Sequence, residues 1–489
     1  MTTRRRFLQA GGALAASAAL ASCNDAGDWR ALWGDTDAAP FQPPTSGEVD
    51  DVAHLLARVT YGARPGDHAR VRALGATPRE AIARHLDEQL APRAHDAGAE
   101  RAVRRLEVLA EPVGELFEFQ PALLRESLAA GTLLRAVYAD RQLHAVMTGF
   151  WADHFNIDLS KGDCRWLTPA FARDVLHPHA LGRFPELLRA VVLHPAMLWY
   201  LDGRVNRRRS PDERPNENYA RELLELHTLG VHGGYTQRDV MEVARALTGW
   251  TVRSKGESTF GIGRVEFHAD AHDDGEKVVL GQVIPAGRGA RDVDELLQVV
   301  VAHPSCARFI ATKLCRHFIA DDPPAAAVDA VARTFAATGG EIAPTLRTLF
   351  ATSEFAAARG TRFKRPFHFV ASALRATDAT IDDARPLVPW LERLGEVPFQ
   401  YPTPDGYPDE ATPWLGTLLW RWQFATALVR GRIDGTRIDA ARLASSAGGD
   451  AALFAHLLGR RPTDAELHAG RGVRHRLALA LSSPGFQLA

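Results

Sequence analysis

Hydrophobic and polar positions recur at helical spacing along most of the chain, and the pattern is sharpest between residues 216 and 250. Projected at about 100° per residue, Tyr219, Ala220, Leu223, Leu224 and Leu226 form one apolar arc with His227 in its middle. Asn218, Glu222 and Glu225 fall on the opposite side, beside Arg221. Asn216 follows Pro215 and stands where an N-cap belongs, with Glu217 in the first turn. Gly230 marks the stop, and Gly233-Gly234 offers the positive φ of a tight reversal. Thr236 then opens a second helix with Asp239 as its capping-box partner. That helix sets Val240, Val243, Ala244 and Leu247 against Arg238, Glu242 and Arg245.

The helical period also runs from residue 48 onwards, through 86–140, and over 292–302, 306–320, 324–337, 342–350 and 367–375. One stretch, about 251–290, switches to short alternating runs broken by glycines, as a β-hairpin inserted between helices would. The expected fold is therefore mostly α: one large multi-helix domain over 49–488 with a small β-hairpin insertion. Residues 402–414, PTPDGYPDEATPW, predict an ordered, turn-rich loop. It leads into an aromatic helix at 415–428 that contains Trp420, Trp422 and Phe424. His194 and His303 each end an apolar run ahead of a helix-stopping residue, and read as partners of helix C-terminal dipoles.

Composition narrows the class. Hydrophobic residues at 46% and charged residues at 24% are those of a globular protein, and a formal charge of -1 leaves no basic footprint for nucleic acid. No stretch reaches the ~20 apolar residues of a membrane-spanning helix. Four cysteines are too few for a disulfide scaffold. Cys164, Cys306 and Cys315 are an odd number, so at least one free buried thiol is expected among them.

Cys23 has a different use. Arg4, Arg5 and Arg6 precede Phe7-Leu8, a weakly apolar stretch follows, and it ends in Leu20-Ala21-Ser22-Cys23. This is the layout of a twin-arginine signal closed by a lipobox, so residues 1–23 read as a signal peptide whose Cys23 is retained and lipidated. Residues 24–47 then read as a flexible tether. The expected location is outside the cytoplasm, anchored through lipid and facing the periplasm or cell surface. Asn24 after the cysteine resembles the pattern that favours the outer membrane.

The block NENYARELLELHTLGV (216–231), with GGYT (233–236) and ARALTGW (244–250), resembles the bacterial family called domain of unknown function 1800. The stretches 53–75, 144–158 and 177–203 resemble other blocks of that family. The resemblance implies a fold and a secretion habit and no established reaction. It also implies a possible companion, since such proteins are often encoded beside a second twin-arginine family, domain of unknown function 1501, which resembles sulfatases.

The sharpest chemical feature is the pair Glu222 and Glu225, three residues apart on one helix face. Like charges at that spacing repel by a few tenths of a kcal/mol unless a cation lies between them. Three readings stay open: a solvated ladder with Glu217 and Arg221, a buried network with Arg245 or Arg238, or carboxylates for acid/base catalysis or metal binding. Trp151, His154 and Asn156 form a polar-aromatic set at a helix end, and Asn218 and Arg245 border the acidic edge. Asp405, Tyr407, Asp409 and Trp414 offer acid and aromatic surfaces suited to a sugar. No zinc, nucleotide or serine-hydrolase motif is present; a metal stays possible and the cofactor unknown. Two functions follow. One is an exported hydrolase or lyase acting on an extracellular polymer through paired carboxylates. The other is a lipid-anchored binding or assembly partner without chemistry.

Overall fold

The computed structural model describes residues 42–92, 95–210, 212–254, 261–468, 470 and 472–489. The export and lipidation motifs at Arg4, Arg5 and Cys23 lie outside the described residues. Residues 42–489 cluster as one compact unit. It is mostly helix, as the periodicity predicts, and the helices expected between 292 and 376 fall at Asp292–Ala302, Pro304–Phe318, Ala325–Ala337, Ile342–Phe350 and Pro366–Ala376.

Four helices carry residues of the site, α1 (Asp51–Val59), α2 (Gln142–His154), α5 (Pro304–Phe318) and α6 (Pro366–Ala376), and three more carry the residues singled out in the sequence, α3 (Asn218–Glu222), α4 (Gln237–Ala246) and α7 (Leu418–Val429). α1 is tied to the chain ahead of α6: His54 Nε2 donates to the carbonyl of Phe355 at 2.8 Å, and Arg58 Nη2 to that of Ala358 at 2.6 Å. Arg375 of α6 donates to the carbonyls of Gly62 and Val137. These are buried donors matched with carbonyls at or just beyond helix ends, where intrahelical partners run out.

Among the described residues the strands form three two-stranded antiparallel pairs. Two lie in the expected insertion: β1 (Trp250–Val252) with β2 (Val265–Phe267), and β3 (Lys277–Val279) with β4 (Gln282–Ile284). The third, β5 (Thr380–Ile381) with β6 (Thr436–Arg437), is two residues long, too short for alternation to reveal it. A buried ion pair pins the insertion, with Lys277 Nζ 2.5 Å from Asp292 Oδ2 and His272 Nε2 3.1 Å from the same oxygen.

Local details depart from expectation in four places. Asn216 does not cap α3; its Oδ1 accepts from Asn218 N at 2.9 Å, and the helix starts two residues later. From Leu223 to Thr228 the helix widens into a π-turn, in which Thr228 Oγ1 donates to the Leu223 carbonyl at 2.6 Å. Of the glycine pair only Gly234 has positive φ (86°), whereas Gly233 is required by space, because a Cβ there would collide with Leu229. His194 and His303 cap the helices that follow them, accepting from Ala196 N at 3.1 Å and Ser305 N at 3.3 Å. Proline at the next position favours such a start, so each histidine belongs to the helix ahead of it.

The end of the expected tether, residues 42–47, lies on the body. Pro44 is buried and the Ser46 carbonyl accepts from Arg461 N at 2.6 Å. The three cysteines Cys164, Cys306 and Cys315 are free and buried.

Candidate active site

The site forms where the loop after Leu394 is laid across the C-terminal end of α2. Asn156 fastens it, donating through Nδ2 to the carbonyls of Tyr401 (2.9 Å) and Thr403 (2.7 Å). Leu159 N donates to the Phe399 carbonyl at 3.1 Å. Tyr407 closes the loop on itself, its hydroxyl donating to Val397 O at 2.9 Å and accepting from Val397 N at 3.0 Å. Gly406, at φ 77°, permits the approach, because a Cβ there would collide with the carbonyl of Asp153. Asp153, the penultimate residue of α2, is thereby brought under Glu396 and Asp409.

Arg365, the N-cap residue of α6, receives all three acids. Its Nη2 is 2.6 Å from Asp153 Oδ2, its Nε 2.8 Å from Glu396 Oε1 and its Nη1 3.4 Å from Asp409 Oδ1. Asp409 also meets Arg362 Nη2 and His317 Nδ1, each at 3.2 Å. Glu396 accepts from Phe367 N at 2.8 Å, capping the first turn of α6. Arg365 and its three acids are held largely out of water, Glu396 the most and Asp153 the least, at 5% and 26% side-chain exposure.

Burial and charge sort these groups. Burial works against the Asp409 carboxylate, but hydrogen bonding to His317 and the positive charges of His317, Arg362 and Arg365 outweigh it and hold the proton affinity well below the carboxylate range. Asp153 goes the other way. Burial is the largest influence, Glu396 and Asp409 compete for the same arginine, and the carboxyl is pushed up to about 6. Arg365 is strongly stabilised as a cation against its burial because it has three acids, while Asp153 has only a share of that one cation.

A cavity of about 90 Å³ opens beside this network, walled by Tyr61, Asp153, His317, Arg365, His368 and Glu396. The Tyr61 hydroxyl lies against Gly149, where a Cβ would come within 2.6 Å of it. Burial pushes that hydroxyl's proton affinity up. Lys364, on the same wall, donates to Ser372 Oγ at 3.1 Å and stands 4.0 Å from the Phe486 ring centroid. It has no carboxylate partner among the described residues, and burial, with Arg421 nearby, pushes it down to about 7. Arg58 lines the cavity too, with Nε and Nη1 unpartnered.

The residues chosen from sequence fall around this site more than in it. Trp151 is fully buried, and its indole donates to the Ala180 carbonyl at 3.0 Å. His154 is buried and donates to the His227 carbonyl at 3.0 Å. Asn156 is the loop fastener. Trp414 is buried and donates to Pro408 O at 3.1 Å, Tyr407 is buried, and Asp405 accepts from Thr403 Oγ1 in a turn. The aromatic faces expected for a sugar are inside the protein.

Asn218 Nδ2 donates to the Leu201 carbonyl at 3.1 Å. Arg245 pairs with Glu242 (2.7 Å) and Asp273 (2.6 Å), facing the β insertion, so it does not form the buried network with Glu222 and Glu225. Glu217 and Arg221 do form the expected i,i+4 pair, at 3.0 Å. Glu222 and Glu225 are half-buried without a hydrogen-bond or ion-pair partner among the described residues. Burial first, then Glu225 and Asp405, raise the proton affinity of Glu222.

Asp153, His317, Arg362, Arg365 and Glu396 are what the sequence reading missed. Their signal was faint: Asp153 sits between Trp151 and His154 in a block already singled out, and Arg362-Phe363-Lys364-Arg365 is a basic run within an apolar context.

Among the described residues no group of three or more His, Cys, Asp or Glu is placed to hold a metal ion. Comparison with curated proteins and with solved structures returns no match. A family model described as "Protein of unknown function (DUF1800)" matches residues 54–488, and so takes in every residue of the site just described. The chain belongs to the DUF1800 family.

Proposed function

We propose that the protein is an exported, lipid-anchored hydrolase or lyase whose proton-transferring group is Asp153, acting in the cavity shared with Tyr61 and Arg365. One observation carries the reading. Asp153 is the network acid with the most access to solvent, and it titrates near 6, where a carboxyl holds a proton for part of the time at working pH and can deliver or accept one. Arg365 fixes the direction of the carboxyl. The Tyr61 hydroxyl, with its proton held firmly, serves as a hydrogen-bond donor to a developing negative charge.

The cavity is small against the several hundred Å³ of ordinary ligand pockets, so an extracellular polymer would present a terminus or one side group to it. In this reading the paired carboxylates are Asp153 and Glu396, joined through Arg365. Glu222 and Glu225 take no direct part.

The test is replacement of Asp153 by Asn in the native host and in purified protein. The variant is expected to fold, to lose complementation of a deletion strain, and to lose product formation on whichever extracellular polymer preparation the wild type degrades. Full complementation by Asp153→Asn overturns the reading.

A further inference from the structure

The outer side of α7 is apolar where a surface helix is ordinarily charged. Leu415, in the turn ahead of it, and Leu418, Leu419 and Trp422 on the helix follow the i, i+3, i+4, i+7 spacing of a single stripe, with Trp420 at its flank. These five side chains are 36–57% exposed. Between Thr412 and Val429 the only charged residue is Arg421. It points inward, with Nε 2.9 Å from Thr417 Oγ1 and Nη1 3.0 Å from Gln487 Oε1, and its guanidinium lies 4.4 Å from the Phe363 ring centroid. The helix has thus turned its one charge into the protein and its leucines and tryptophans towards water. A contiguous patch of this kind marks an interaction surface.

Three occupants can be compared by chemistry. A saccharide stacks on flat aromatic faces with hydrogen-bonding groups between them, and here three leucines, which offer none, take up most of the stripe. A second copy of the chain would need to bury roughly 800 Å² per partner for a stable interface, more than five side chains that are 36–57% exposed offer. A bilayer surface needs no such area, only leucines that reach below the headgroups and tryptophans that sit at their level. The charged rim fits the last. Arg393 is exposed, 5.6 Å from the Trp420 ring centroid and 5.1 Å from that of Trp390. Arg430 and Arg432, just past the end of α7, are also exposed, and none of the three has a carboxylate partner among the described residues. The neighbouring acid, Glu392, is 3.9 Å from Arg125.

We infer that the Leu415–Leu418–Leu419–Trp422 stripe docks on the headgroup layer of an anionic bilayer, with Arg393 and Arg430 against the lipid phosphates. The inference is independent of the Asp153 reading and does not need an acyl chain on Cys23.

The experiment uses the full chain carrying Cys23→Ala, so that no acyl group contributes. It is mixed with vesicles of phosphatidylcholine alone or with added phosphatidylglycerol, and binding is read by flotation together with tryptophan emission. The chain should float with the phosphatidylglycerol vesicles, with emission shifted to the blue. Leu418→Glu with Leu419→Glu should weaken binding about tenfold or more, and Arg393→Glu should reduce the dependence on phosphatidylglycerol. Both changes are at exposed positions, so circular dichroism and the melting temperature should stay at wild-type values. A chain that stays out of the floating fraction with both vesicle types overturns the inference, as does a Leu418→Glu, Leu419→Glu chain that binds like its parent. A parent that sediments as a dimer, made monomeric by the same pair of changes, would assign the stripe to a second copy and overturn it as well.

Discussion

Asp153 Oδ2 lies 2.6 Å from Arg365 Nη2, and yet the proton affinity of Asp153 is raised rather than lowered. An isolated pair at that distance would hold the carboxylate ionised. Here Glu396 and Asp409 draw on the same guanidinium, and what remains for Asp153 does not offset its burial.

The sign of the linked stability follows. A carboxyl raised from 3.8 to about 6 in the folded protein binds more protons folded than unfolded between those values, so stability falls as pH rises across that window. Asp153→Asn is therefore expected to leave the melting temperature unchanged near pH 4 and to stabilise by about 2 kcal/mol near pH 8. Thermal denaturation at the two pH values checks this; a loss of stability near pH 8 would mean that the carboxylate is a net structural support.

Lys364 gives a second, separate window. Its folded value near 7 lies below the 10.5 of a free lysine, so between the two the unfolded chain holds more protons and stability climbs with pH. Lys364→Met should flatten that climb, which urea unfolding between about pH 7 and pH 10 would detect. An unaltered slope would show that the amine is charged and well matched in the fold.

Glu222→Gln separates the buried-network reading from the other two that its sequence left open. Half-buried, without a partner and beside Glu225, the side chain should tolerate the change, with stability moving by less than about 0.5 kcal/mol and towards greater stability. A loss of several kcal/mol in a thermal melt would restore the buried-network reading.

Gly406→Ala should cost about 2 kcal/mol or more, since the new Cβ meets the Asp153 carbonyl at a φ of 77°. The damage should be local as well as global: the carboxyl of Asp153, followed by carbon-13 NMR, should titrate closer to 4 in the variant, because the displaced loop takes Glu396 and Asp409 with it. A carboxyl that still titrates near 6 would mean that loop position does not set the site.

The helical architecture, the place of the β insertion and the capping box at Thr236–Asp239 were legible because each rests on residues close in sequence, where period and cap chemistry act. The π-turn in α3 was not, because a widened turn preserves the composition of an ordinary helix and changes only which side chains share a face. The site was least legible. Its members are single charged residues at positions 153, 317, 362, 365, 396 and 409, none in a recurring pattern. What unites them is the loop that Asn156 fastens and Gly406 admits. Glu222 and Glu225 drew attention because neighbouring acids on one helix are visible in a line of text, whereas an acid meeting an arginine 212 residues away is not.

That separation sets a timetable for synthesis. The chain emerges from a ribosome at about 5–20 residues per second, so Asp153 is outside for about ten seconds or more before Arg365 exists to meet it, and longer before Glu396 and Asp409 complete the set. α1 waits longer still, since His54 and Arg58 find their carbonyls only at Phe355 and Ala358, 301 and 300 residues on. α1 can pack on its near neighbours early, but these two buried side chains stay without their carbonyls until most of the polypeptide has been made.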